Sequence, residues 1–218
     1  MALAAPQQRR TASASVWPES SLPLFPLQAV LFPGGLLSLK VFEARYLDLV
    51  ANCLREQRPF GVVALRKGGE VRDKRTRVEL ESTGVLAELL DVDSAQPGIL
   101  QVRCRGTSRF ALASARQRED GLWLAEPQPL PDDIAVRPHA ALQGAVQGLA
   151  NAIATLDGQG AQPFLKPYDF DDAGWVANRW CEILPIPLSA KQKLMELADP
   201  SARLQLVAEF LRSKGVVA

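Results

Sequence analysis

Hydrophobic residues between positions 22 and 126 recur in short runs separated by turn-forming residues. Runs of this length and composition predict β-strands at 22–27, 36–42, 60–65, 83–90, 99–105, 109–115 and 122–126. Segments containing glycine at 33–35, 96–98, 106–108 and 119–121 predict the turns between strands. Several short strands at close spacing indicate a small barrel or a strongly curved sheet.

Two features modify this β-rich pattern. The first run contains Pro23 and Pro26, and because proline lacks the N–H that a central strand uses, the run is predicted to be an edge strand or an extended lead-in segment. Residues 43–57 carry apolar side chains three or four positions apart, at Tyr46, Leu47 and Val50. This spacing predicts one helix inserted among the strands.

The pattern becomes helical after a proline-rich linker at 127–138. The first predicted helix has an apolar seam with spacings of three and four, formed by Leu142, Val146, Leu149, Ile153 and Leu156. Asp171 and Asp172 are predicted to cap a second helix, and Ser189 with Gln192 has the form of a capping box for a third. A fourth helix follows Asp199.

These patterns predict an α+β protein in three segments. Residues 1–20 are expected to be a flexible N-terminal tail, 21–131 a β-rich domain with one inserted helix, and 132–218 a helical domain of the bundle type. The predicted domain boundary lies in the proline-rich linker, where composition and periodicity both change.

Composition and charge narrow the function classes. The 218 residues are 47% hydrophobic, which excludes wholesale disorder, and 25 basic residues against 24 acidic ones leave a net charge of +1. Such a balance provides no global field that attracts nucleic acid or an anionic membrane. The local exception is the basic run 66–77, in which the candidate polyanion contacts are Arg72, Lys74, Arg75 and Arg77.

Most catalytic chemistry is missing from the sequence. One histidine, His139, and three scattered cysteines make a metal centre, a nucleophilic triad and a disulfide scaffold improbable, and the cysteine usage fits a cytoplasmic protein. Neither a phosphate-binding loop nor about 18 consecutive apolar residues is present. The carboxylate pairs at 91 and 93, 132–133 and 171–172 are interpreted as solvated turn or cap residues. We therefore expect no catalytic residues, no cofactor and no metal.

Several segments resemble the N-terminal substrate-binding domain of Lon protease. They are LPLFPL (22–27), VLFPGG (30–35), FEARYL (42–47), RPFGVV (58–63), GVLAEL (84–89), GTSRF (106–110), WCEILP (180–185) and KQKLME (191–196). They occur in the family's order and cover about residues 21–212.

The resemblance implies a PUA-like pseudo-barrel followed by a helical bundle, in a domain that helps to select unfolded or tagged polypeptides. The full protease also carries an ATPase module and a Ser-Lys peptidase domain. Because this chain has no phosphate loop and ends at residue 218, it is expected to be a free-standing, non-enzymatic recognition domain.

Three hypotheses of function follow. The first is binding of unfolded or exposed apolar polypeptide segments, or of a protein partner, in a groove between barrel and helices or at an edge strand. Its candidate residues are Phe32, Leu36, Leu37, Phe42, Arg45 and Tyr46. The second is RNA binding through the basic run 66–77, because RNA-binding modules share PUA-like folds. The third is a hydrolase that uses Asp91 or Asp93 in a pocket.

Overall fold

The computed structural model describes residues 21–69 and 78–217. Its first part contains one helix and six strands, which are β1 (Leu22–Leu27), β2 (Leu36–Val41), α1 (Ala44–Glu56), β3 (Phe60–Lys67), β4 (Glu79–Gln96), β5 (Ile99–Gln117) and β6 (Trp123–Pro129). The predicted tail 1–20 and residues 70–77 of the basic run lie outside the described residues.

The six strands form a sheet that closes on itself. Their order is β2-β5-β4-β3-β1-β6, and β6 also pairs with β5. The ring β5-β4-β3-β1-β6 is therefore a five-stranded barrel, to which β2 is added along the first half of β5. All pairs are antiparallel except β1 with β3. This closure agrees with the predicted small barrel.

The prediction that the first run is an edge strand was wrong, since β1 pairs on both sides. β6 lies beside Leu22–Leu24, whereas β3 lies beside residues 24–27. Pro23 therefore has only β6 as its neighbour, and Pro26 has only β3. Each proline has a partner strand on one side only, so the missing N–H groups are tolerated inside a closed sheet.

The predicted turn at 106–108 was also wrong, because β5 runs through it without interruption. Gly106 instead packs against the turn between β1 and β2. Its N–H donates to the carbonyl of Gly35 over 2.9 Å, and its carbonyl accepts from the N–H of Gly34 over 2.8 Å. A Cβ atom at position 106 would overlap the carbonyl oxygen of Phe32. Close backbone approach explains this glycine.

The second part is helical. A single 3₁₀ turn at Ala140–Leu142 leads into α2 (Gln143–Gly158), and α3 (Ala173–Ile183), α4 (Leu188–Glu196) and α5 (Pro200–Ser213) follow. The four predicted helices are thus confirmed, and the described residues contain no helix long and apolar enough to cross a membrane. The fold class is α+β, as expected.

One of the two predicted helix caps forms, at Asp172, and Asp199 provides a cap that was not predicted. The Asp172 carboxylate accepts from the N–H of Gly174, and the Asp199 carboxylate accepts from the first turn of α5. The capping box was wrong, because α4 already begins at Leu188 and its N-cap, Pro187, makes no side-chain cap. The amide of Gln192 instead donates to the buried Thr83 carbonyl on β4, over 3.0 Å.

Barrel and helices share one hydrophobic core. The larger cluster of buried side chains contains barrel residues such as Phe32 and Val102 together with helical residues such as Val176 and Leu204. A smaller cluster fills the barrel itself, around Phe110. The helical part therefore packs directly against the barrel, and a groove lies along the line where they meet.

Candidate functional site

This junction groove has a volume of about 490 Å³. One wall comes from the segment after β1 and the start of β2, and the other from the segment before α3, the end of α3 and the start of α4. Its lining side chains are mainly apolar and include Val30, Leu31, Leu36, Leu37, Pro163, Phe164, Ile183, Ile186 and Leu188. Mostly apolar clefts with a few polar groups are the usual form of a binding site.

Hydrogen bonds from Arg179 to the turn between β1 and β2, here named the Arg179 clamp, hold the two walls together. Arg179 on α3 is fully buried, and its guanidinium contacts the Glu182 carboxylate over 2.7 Å. The same guanidinium donates to the carbonyls of Pro33 and Gly34, over 2.9 and 2.5 Å. Because a Cβ atom at Gly35 would overlap the Glu182 carboxylate, glycine is needed where the β1–β2 turn meets α3. The groove is therefore preformed.

Glu182 is the acidic group in the lining of the groove. Burial raises the pKa of its carboxyl to about 7, against the opposing attraction of Arg179 and Lys191. The Lys191 ammonium donates to the backbone carbonyl of Glu182 over 3.0 Å. The charged groups of the groove lining, Glu182 and Lys191, thus belong to one network at the end of α3 and the start of α4.

The sequence-predicted peptide contacts fall into three places. Leu36 and Leu37 line the junction groove. Phe32 and Tyr46 are core residues, 0% and 5% exposed. Phe42 is 56% exposed but is not part of the groove lining.

Arg45, the predicted polar rim, is buried instead. It pairs with Glu43 over 2.9 Å and donates to the Gly121 carbonyl over 2.8 Å, with its guanidinium above the Tyr46 ring. Arg45 thus connects α1 to the turn before β6 and lies apart from the junction groove.

Sequence reasoning missed the helical wall of the groove. Phe164, Ile183 and Ile186 lie far along the chain from Leu36 and Leu37, so their proximity is a property of the fold. One local signal was available, because the prolines at 185 and 187 interrupt the apolar residues between two helices and leave Ile186 outside any helix.

The candidate polyanion contacts Arg72, Lys74, Arg75 and Arg77 lie outside the described residues. The two basic residues that precede them, Arg66 and Lys67, both form ion pairs with Glu79, over 3.1 and 3.3 Å. RNA binding through this run stays a prediction.

The hydrolase hypothesis gains no support from the described residues. Asp91 and Asp93 are exposed on β4 and do not line the junction groove. All three cysteines are free and buried, and burial raises the pKa of the Cys53 thiol to about 11 and those of Cys104 and Cys181 to about 12. Such thiols remain protonated and unreactive in the folded protein. The described residues contain no cluster of metal-ligating side chains.

Comparisons with known proteins agree with the fold and with the resemblance. The sequence model of the ATP-dependent protease La (LON) substrate-binding domain matches residues 21–213. Lon protease of Paraburkholderia phytofirmans is 29% identical over 213 residues, which are 96% of this chain and 26% of that protein. The chain therefore spans about a quarter of the length of the curated relatives it matches first.

Solved structures support the same relationship. A Lon N-terminal domain protein from Xanthomonas campestris is 31% identical, with a TM-score of 0.68 over 86% of this chain and 96% of that one. The N-terminal domain of Mycobacterium avium complex Lon protease has a TM-score of 0.57 at 15% identity, over 87% of this chain and 97% of that one. At this lower identity the likeness concerns the fold alone.

Proposed function

The chain belongs to the family of ATP-dependent protease La (Lon) substrate-binding domains, and on this premise we propose that it is a non-enzymatic module that binds exposed apolar segments of unfolded polypeptides. The proposed binding site is the junction groove. Family membership supports substrate recognition in general, and the groove supplies a specific place for it.

The observation that carries the proposal is an apolar cleft whose two walls are fixed before any ligand arrives. Leu36 and Leu37 are partly exposed in one wall, and Ile183 and Ile186 in the other. The Arg179 clamp fixes the two walls relative to each other, so that an incoming apolar side chain does not have to order them. Preorganisation of this kind lowers the entropic cost of binding.

Strand β2 offers the peptide backbone a second contact. Within the described residues it pairs along one edge only, with β5. Addition of an extended peptide to such an edge provides main-chain hydrogen bonds, while adjoining pockets select side chains. Because β2 begins at Leu36 in the groove wall, a segment added there would direct side chains toward the groove.

We also place the module in the cytoplasm. All three of its cysteines are free and buried, as is usual in a reducing compartment. The proposed partners are unfolded polypeptides or a protein with an exposed apolar segment.

Fluorescence anisotropy of labelled β-casein, an unfolded polypeptide, tests the proposal. We expect saturable binding that changes little between low and moderate salt, because apolar contacts are not screened. Leu37→Ser and Ile186→Ser are each expected to weaken binding about tenfold, through loss of buried apolar surface.

The matched control is Leu206→Ser, which removes a half-exposed leucine on α5 outside the groove. Binding by this variant should equal that of the wild type. Absence of casein binding, or equal weakening by all three variants, would reject the junction groove as the site.

A further inference from the structure

A second groove lies between the linker after β6 and the end of α4. Its volume is about 430 Å³, and its apolar lining includes Leu130, Ile134 and Val136. None of its lining residues belongs to the junction groove. This linker groove is independent of the site proposed above.

The linker that forms one side of the groove is fixed in place. The Leu130 N–H donates to the Arg109 carbonyl over 3.2 Å, and the Val136 carbonyl accepts from the Ala173 N–H over 2.8 Å. Between these two anchors Ile134 is 79% exposed. Ile134 thus adds exposed apolar surface to a groove that Leu130 and Val136 also line, and apolar grooves are the usual form of a binding site.

The rim of the linker groove is acidic. Asp132, Glu196 and Asp199 line it and are exposed, and none of them forms an ion pair with any described residue. Their hydrogen-bond donors are uncharged, namely Ser108 for Asp132, Gln192 for Glu196 and the first turn of α5 for Asp199.

The one basic side chain in the lining, Arg109, attracts Asp132 but makes its hydrogen bonds elsewhere. Arg109 already contacts the Asp133 carboxylate and donates to the carbonyls of Pro131, Met195 and Leu197. Arg109 and Arg203 share the single carboxylate of Asp133, so these three side chains carry one net positive charge. The three rim carboxylates outnumber it. The groove and its wall are therefore negative.

From this geometry we propose that the linker groove binds a polypeptide segment that combines basic and apolar residues. The apolar side chains would cover Ile134 and fill the groove, while the cations would lie beside Asp132, Glu196 and Asp199. Charge complementarity selects this occupant over an acidic or a purely apolar one. The junction groove, whose lining contains one acidic and one basic residue, lacks this selectivity.

Binding of two labelled synthetic peptides to the full chain tests this proposal. In one peptide arginine alternates with leucine, and in the other glutamate replaces each arginine. We expect the arginine peptide to bind more weakly as salt increases, and the glutamate peptide not to bind. The double variant Asp132→Asn/Glu196→Gln should weaken binding about fivefold at low salt. Ile134→Ser should weaken it about tenfold.

Two controls match these variants. Asp91→Asn/Asp93→Asn removes the same number of charges from exposed positions on β4, and Leu54→Ser removes a half-exposed leucine from α1. Both should bind the arginine peptide like the wild type. The proposal is overturned if the arginine peptide does not bind, or if the two charge variants weaken binding equally. Loss of binding in Leu37→Ser alone would also overturn it, because the peptide would then occupy the junction groove.

Discussion

Asp133 has a structural role that its neighbour Asp132 does not share. Its carboxylate contacts the Arg109 guanidinium over 2.8 Å and the Arg203 guanidinium over 2.6 Å, and both arginines are buried. The three side chains connect β5, the linker and α5. The interpretation of the 132–133 pair as solvated turn carboxylates was wrong for Asp133, which forms ion pairs with two buried arginines. These partners lie 24 and 70 residues away in the sequence, so no local pattern indicated them.

Replacement of Asp133 should destabilise the protein strongly. Asp133→Asn keeps the shape of the side chain but leaves two buried guanidinium groups without a counter-charge, which typically costs about 3–5 kcal/mol. Urea unfolding measures this loss. Asp132→Asn changes an exposed carboxylate and should stay within about 0.5 kcal/mol of the wild type. Similar stabilities for the two variants would contradict the role of Asp133.

Glu182 predicts a pH dependence of stability. Burial raises the pKa of its carboxyl from 4.5 to about 7 in the folded state. Between these pH values the folded state holds the proton more tightly than the unfolded state, so the free energy of unfolding decreases as pH rises. At 1.36 kcal/mol per pH unit, the decrease is of the order of 3 kcal/mol.

Glu182→Gln provides the comparison, because it keeps a neutral acceptor beside Arg179 and removes the titration. Urea unfolding at pH 5 and pH 8 should therefore show a larger loss of stability in the wild type than in the variant. An identical pH dependence in the two proteins would assign the effect to other groups.

At the scale of elements, hydrophobic periodicity predicted most strands and all four C-terminal helices. Where it was wrong, a contact distant in sequence overrode a local rule. Gly106 indicated a turn within its own segment, but it lies inside β5 and allows the β1–β2 turn to pack closely against that strand. Gln192 indicated a capping box but donates to Thr83, 109 residues away. The prolines of β1 indicated an edge strand, but β6 and β3 pair with different halves of β1, and the sequence does not show this staggered pairing.

Gly106→Ala tests the first of these explanations. The added methyl group would overlap the Phe32 carbonyl oxygen, which belongs to the backbone and has little freedom to move. We expect a loss of about 1–3 kcal/mol in urea unfolding. Gly158→Ala is the matched control, because no atom lies near its Cβ position at the end of α2 and alanine favours helix there. A Gly106→Ala protein as stable as this control would show that the close approach is not required.

At the scale of the whole molecule, the sequence predicted only part of one wall of the candidate site. Leu36 and Leu37 follow from the apolar pattern of one strand and line the junction groove. The opposite wall depends on the Arg179 clamp, which joins residues 145 positions apart. No local pattern encodes such a contact, so the groove emerges only when the barrel and the helices pack together.

The shared core predicts that barrel and helices unfold together. Cys53 and Cys104 lie in the barrel part and Cys181 in α3, and all three belong to the larger hydrophobic cluster. Since each thiol is buried, an alkylating reagent reacts only after the surrounding structure opens. Labelling at increasing urea, quantified for each cysteine by mass spectrometry, should therefore give three coincident transitions. If Cys181 reacted at lower urea than the other two, the helical part would unfold on its own. The boundary near residue 131 would then separate two independently stable domains, and the junction groove would open before the barrel does.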